Sequence, residues 1–77
     1  IFYLMNLQDA FVNQIRTQRH TVTIHLLSGE KLEGQIRGFD PNIIVLDVED
    51  GQEIVYKHAI SLITPHVTLD LFNQDQE

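Results

Sequence analysis

Apolar positions follow two different periods along this chain. Between residues 6 and 19, in "NLQDAFVNQIRTQR", Leu7, Phe11 and Ile15 recur at i, i+4 and i+8, with Ala10 and Val12 beside them. That spacing predicts an amphipathic helix. Asn6 is a suitable N-cap, Asp9 suits the positive end of the helix dipole, and Arg16 and Arg19 fall in the expected last turn, where cations are favoured. The apolar stripe is narrow, so the helix is expected to lie on an apolar surface. From His20 the period becomes two. "HTVTIHLL" puts Val22, Ile24 and Leu26 on one face and Thr21, Thr23 and His25 on the other. After the turn signal Ser28-Gly29, "EKLEGQIRGF" places Leu32, Gly34, Ile36 and Gly38 on one face, and two glycines there point to a sharp bend or a close backbone approach. The turn "DPN" (40–42), the apolar run "IIVLDV", the hairpin signal Asp50-Gly51, "EIVYK" and "AISLIT" follow, with Pro65 as a stop. Past Pro65, "HVTLDLF" alternates again and reads either as a short extra strand or as a tail lying in a groove, before a polar end, "NQDQE", that is expected to be disordered.

One helix followed by five short strands about ten residues apart predicts a mainly β fold, a strongly bent, five-stranded antiparallel barrel. Strands four and five are short and apolar on both faces. With no second domain to cover them, edge pairing between copies is the expected support, and repeated head to tail it closes a ring. The 77 residues make one domain. A chain this short buries only about 60% of the surface its unfolded form exposes, so outside support matters. There is no cysteine, which excludes disulfides and fits a reducing cytoplasm. His20, His25, His58 and His66 are scattered without metal-ligand spacing, so no metal and no cofactor are implied. No apolar run reaches the ~20 residues of a membrane span. "IFYLM" has no charged leader segment, and Met5 is expected to be the natural start, with residues 1–4 from upstream or vector sequence.

The chain has five Lys and Arg against eleven Asp and Glu, a formal charge of −6. Bulk charge therefore opposes polyanion binding, and any nucleic-acid role rests on local concentration of cations. One such place is "VYKHAIS" (55–61), with Tyr56, Lys57 and His58 in succession. Alone these are ordinary hairpin residues. In a closed ring their copies would converge into a basic, donor-rich collar.

"LQDAFVNQIR", "GQIRGFD" and "VYKHAIS", in this order and spacing, resemble the Hfq family of bacterial Sm-like RNA chaperones over residues 6–65. The resemblance implies an Sm-like domain at 6–65, an extension at 1–5 and a tail at 66–77. It also implies a homohexameric ring in the cytoplasm, no membrane partner and no enzymatic activity, that binds single-stranded RNA and pairs small regulatory RNAs with messenger RNAs. A proximal, uridine-binding pocket would use Gln8, Lys57 and His58, with Tyr56 supporting the subunit contact and Phe39 in the core or lining the groove. Asn42 stands where the family carries an aromatic, and it cannot supply base stacking worth ~1–3 kcal/mol. Pro41 departs from a position that is usually polar or basic. A distal, adenosine-binding face would use His25, Gly29, Glu30, Lys31, Leu32 and Glu33, with Gln52 from the next hairpin. Glu30 and Glu33 place acids there, tolerable if they accept from the adenine amine. In "RTQR", Arg16 and Arg19 would form a rim patch thinner than a full arginine run. A second reading is a structural or protein-interaction ring with weakened RNA affinity, favoured by Asn42, Glu30, Glu33 and the net charge. Hydrolase motifs such as G-x-S-x-G, H-E-x-x-H and a glycine-rich phosphate loop are absent from the sequence.

Overall fold

The structure is a computed structural model and describes residues 7–70. The expected cap at Asn6, the extension at 1–5 and the polar end lie outside the described residues. Helix α1 spans Leu7–Thr17, followed by strands β1 (Thr21–Leu26), β2 (Lys31–Phe39), β3 (Ile43–Val48), β4 (Gly51–Tyr56) and β5 (Ile60–Pro65). A single 3-10 turn, Lys57–Ala59, joins β4 to β5. All pairings are antiparallel, and the strand order is β4-β3-β2-β1-β5.

That order forces the sheet to curl. β4 and β5 are its outermost strands, yet they are consecutive in sequence and joined by one short turn. A connection of this length reaches at most ~14 Å. In a flat sheet, four inter-strand spacings would separate the outer strands by roughly 19 Å. The sheet therefore rolls until its two edges approach each other. β2 turns the corner: its residues 31–35 pair with β1 and its residues 35–39 pair with β3, overlapping only at Gln35. Gly34 sits at that corner. A Cβ built there would fall inside the van der Waals envelope of the Asp47 carbonyl, so only glycine allows the two backbones to approach this closely.

Gly38 does not share this role. β2 and β3 lose register between Ile36 and Gly38, which leaves Arg37 as the extra residue of a bulge. The alternation changes phase there. Gly38 leaves the inward face, and Phe39, opposite Ile44, joins the side chains packed on the core. A second shift, between His25 and Leu26 against β5, leaves Ser61 as the extra residue. The interior is built from Val22 and Ile24 of β1, Ile36 of β2, Ile44 and Leu46 of β3 and Val55 of β4, closed by Val12 and Ile15 of α1. The helix's buried stripe is thus centred on Val12 and Ile15, with Leu7 56% exposed at its start.

The helix ends at Thr17, before Arg19, contrary to the expected boundary. The Ile15 carbonyl accepts from the His20 N–H at 3.1 Å and the Arg16 carbonyl from the Arg19 N–H at 3.2 Å. These two bonds are those of a Schellman stop, with Arg19 at φ 56 in the left-handed position that glycine usually fills. Beyond Pro65 the chain stays on the sheet as far as it is described. The His66 N–H donates to the Thr21 carbonyl at 2.9 Å, and Leu69 packs against the core. Residues 66–70 form no strand, so the groove-lying alternative is the one observed for them.

The "DPN" turn is held by Asp40, whose Oδ1 accepts from the N–H groups of Asn42 (2.7 Å) and Ile43 (2.9 Å). These backbone donors, with a smaller contribution from the charge of Lys57, lower the Asp40 pKa below its ordinary value.

The corner and the turn can each be tested by substitution. Gly34→Ala should destabilise the fold by at least ~1–3 kcal/mol, the usual range for overpacking, while Gly38→Ala, with nothing within 4 Å of its Cβ position, should be close to neutral. Urea midpoints at equal chain concentration would check both. Because the folded pKa of Asp40 is depressed, its contribution is complete above about pH 5 and fades as pH falls through about 4 and below. Asp40→Asn keeps an acceptor for the turn but cannot titrate, so its urea midpoint should fall less steeply than wild type over that acid range.

Candidate nucleic-acid interface

Three concave surfaces hold the cationic side chains of the described residues. The largest, about 580 Å³, lies between α1 and β5 and includes Gln8, Phe11, Ile44, Lys57, Ser61 and Leu69. Gln8 comes from the first turn of the helix and Lys57 from the turn joining the sheet edges, so residues 49 positions apart in the chain reach one groove only because the sheet rolls. Lys57 is held from two sides. Its backbone N–H donates to the Asn42 carbonyl at 2.9 Å, and its Nζ lies 5.3 Å from the centroid of the Phe39 ring. Phe39 is therefore a core residue that also seats the ammonium. The Lys57 Nζ exposes less than 1 Å² and has no hydrogen-bond acceptor among the described residues. Tyr56 and His58 lie beside each other, ring centroids 5.8 Å apart with a 31° tilt, and both are exposed. Thus Gln8 and Lys57 line the groove, Phe39 and Asn42 touch Lys57 without lining it, and Tyr56 and His58 form an exposed pair of rings.

The second surface, about 460 Å³, lies on the outer face of β2-β1-β5. The period-two alternation puts Thr23, His25, Lys31 and Glu33 there, and the register sets His25 opposite Lys31 and Thr23 opposite Glu33. Leu32 lines its edge. Gly29 and Glu30 stand at the hairpin end, where Gly29, at φ 100, completes the turn and the Glu30 carbonyl accepts from the Leu26 N–H at 2.8 Å. Gln52 is elsewhere. It lies on β4, two strands from β2, and donates to Asp47 Oδ1 at 3.0 Å. His66 belongs to this surface and was not among the expected residues. Its Nε2 lies 2.9 Å from Thr23 Oγ1 and 3.4 Å from Glu33 Oε2. Its position follows from one backbone bond beyond β5, the His66 N–H to the Thr21 carbonyl, which the sequence pattern did not signal.

The third surface is a smaller recess of about 200 Å³ where the end of α1 meets the corner of β2. Arg16, Arg19 and Arg37 line it, together with Gln35 and Asp47. Arg16 Nη2 donates to Asn13 Oδ1 at 2.6 Å, and Arg37 Nε donates to Asp47 Oδ2 at 2.9 Å. The Gln52 amide and then Arg37 are the main causes that lower the Asp47 pKa, with smaller help from the charge of Arg19.

Each of the five cations in the chain lines one of these surfaces: Lys57 the first, Lys31 the second and the three arginines the third. An acidic chain thus places its positive charge where concave surfaces can use it. Among the described residues no group of His, Cys, Asp or Glu is arranged to hold a metal ion, and no helix is long and apolar enough to cross a membrane.

A family model described as Hfq protein matches residues 7–70. The chain is 46% identical over 72 residues to the RNA-binding protein Hfq of Ruminiclostridium cellulolyticum, covering 94% of this chain and 90% of that protein. It is 45% identical over 71 residues to the RNA-binding protein Hfq of Brevibacillus brevis, covering 92% and 90%. A 1.55 Å crystal structure of the pleiotropic translational regulator Hfq superposes with a TM-score of 0.74 at 32% identity, over 77% of this chain and 98% of that one. The Hfq protein from Anabaena sp. shares the fold, with a TM-score of 0.70 at 22% identity over 75% and 93% of the two chains. With the helix, the rolled five-stranded sheet and the 55–61 segment in the same order and arrangement, this chain belongs to the Hfq family.

Proposed function

We propose that this chain is the subunit of a cytoplasmic, homohexameric RNA chaperone that binds single-stranded RNA and promotes pairing of small regulatory RNAs with messenger RNAs, without covalent chemistry. The observation that carries this reading is the placement of all five cations on three concave surfaces of a chain whose formal charge is −6.

The free edges of the sheet supply the assembly. Among the described residues β4 and β5 each have one neighbouring strand, and each presents large apolar side chains to solvent: Ile54 62% and Tyr56 58% exposed on β4, Leu62 51% exposed on β5. Pairing β4 of one copy with β5 of the next would satisfy the outward backbone groups and cover those side chains. The turn carrying Lys57 and His58 lies between these two edges, so ring closure would bring its copies together.

Lys57 supports the proximal site by its energetics. A cation–π contact is worth ~0.5–2 kcal/mol, whereas enclosing an ammonium without an acceptor costs several kcal/mol. The contact with Phe39 alone does not offset that cost. An acceptor from outside the chain, a uridine carbonyl or a phosphate oxygen, would. Gln8 can read a base edge through its amide, and His58 can donate to a base carbonyl beside it. On the second surface His25 offers a ring for stacking, Lys31 a charge for phosphate, and Glu33 an acceptor for the adenine amine, with the His66 ring beside it. Arg16 and Arg19 serve the rim.

Two outcomes are expected. Lys57→Ala should weaken binding of a short oligouridine by about tenfold or more, in line with removal of a charged hydrogen bond, and by more than Lys31→Ala does, with unchanged native mass. Equal losses in filter binding would remove the pore site. Ile54→Asp should shift sedimentation toward single chains and weaken oligouridine binding along with it. A variant that still sediments as the full assembly would exclude β4 from the subunit contact.

A further inference from the structure

We propose that Arg37 is the third arginine of the rim, that the recess it shares with Arg16 and Arg19 binds the phosphate backbone of an RNA strand, and that Asp47 positions and restrains it. This rests on the RNA-binding reading above and adds a residue that comes from the sheet and not from the helix.

The bulge in β2 supplies the geometry. As the extra residue between Ile36 and Gly38, Arg37 is released from the alternation that assigns its neighbours to one face or the other. Its side chain is 68% exposed, and its ion pair with Asp47 uses only Nε. The terminal nitrogens of the guanidinium remain accessible for a planar, two-point contact with an oxyanion. Arg16 and Arg19 arrive at the same recess from the end of α1. A volume of about 200 Å³ is below the usual range for organic ligands, ~300–1,000 Å³, and suits a small anionic group such as a phosphate.

Arg19 provides an independent sign that charge matters here. It occupies the left-handed position of the helix stop at φ 56. A side-chain-bearing residue there costs roughly 1–2 kcal/mol that glycine would avoid. Within the described residues the Arg19 side chain makes no hydrogen bond or ion pair, and its one recorded interaction, the attraction of its charge for Asp47, lies in the same recess.

Asp47 defines the strength of the site. Its Oδ1 accepts from Gln52 and its Oδ2 from Arg37, so the carboxylate is held in place and its pKa lies below the ordinary value. It holds Arg37 at the recess and opposes an incoming phosphate by its own charge. The recess therefore has three cations against one acid, a modest local excess in an acidic chain.

The experiment is a salt titration of binding by fluorescence anisotropy, using a single-stranded oligoribonucleotide of mixed sequence and the assembled full chain, with native mass checked for every variant. Arg37→Gln should lower affinity at low salt about three- to tenfold and reduce the magnitude of the log–log salt slope by ~0.7 for each phosphate no longer neutralised. Arg37→Lys should restore the slope. Asp47→Asn should raise affinity, and that gain should shrink in the Arg37→Gln background. The proposal is overturned if Arg37→Gln matches wild type in affinity and slope while Lys57→Ala still weakens binding. Failure of wild type itself to bind at low salt would overturn the underlying RNA-binding reading instead. An Asp47→Asn gain of equal size in both backgrounds would show that the carboxylate acts on the RNA alone and does not position Arg37.

Discussion

Every feature of this small fold depends on the hydrogen-bonding capacity of two strands that have only one neighbour each. Backbone N–H and C=O groups along the outer sides of β4 and β5 need partners, and no further strand pairs with them among the described residues. The connectivity makes the demand more specific. Because the two outer strands are joined by Lys57–Ala59 alone, the sheet curls and both edges lie close to the same turn. The most chemically distinctive segment of the sequence is thus located at the junction that assembly would use. The groove between α1 and β5, the seat of Lys57 on Phe39 and the proximity of Gln8 all follow from the curl.

The electrostatics act at two ranges. At long range the chain is acidic and repels polyanions; at contact range each concave surface carries at least one cation. Salt screens both, but a cation within a recess keeps more of its attraction than a diffuse surface charge keeps of its repulsion. Selectivity for flexible single strands over stiff duplexes fits this division, since a single strand can bring individual phosphates and bases into recesses while leaving the acidic hairpins at a distance. Glu33 and Asp47 sit inside this scheme as acids bound to local partners, His66 with Thr23 nearby in one case, Arg37 and Gln52 in the other.

Much of the architecture was legible in the residue pattern because period is a local property. The helix, the alternation through Val22 and Ile24, and the glycine needed at position 34 each leave a sign in the sequence, although of the stripe expected at Leu7, Phe11 and Ile15 only Ile15 is fully buried and the flanking Val12 takes the other core position. The features that were not legible are those where one residue changes phase or doubles in role. A bulge leaves no mark in composition, so strict alternation puts Gly38 on the wrong face and gives Arg37 no role. A helix stop written with arginine and not glycine hid the end of α1 at Thr17. Contacts between distant segments, such as Lys57 over Phe39 or His66 beside Thr23, depend on the rolled sheet and cannot be counted out along the chain. The candidate sites were legible chiefly through the family resemblance, which supplied Gln8 and the hairpin residues that spacing alone would have left as solvated positions.

The corner in β2 has a consequence beyond the single subunit. In any closed assembly made by joining one outer strand to the other, the turn from one copy to the next combines the angle between those two strands within the chain with the twist of the pairing itself. That angle is set where β2 passes from β1 to β3, at Gly34 and Gln35, and is adjusted by the bulge a few residues later. The rotational order of such an assembly, and with it the width of its central opening, therefore depends on the sheet corner as well as on the strands that would join the copies.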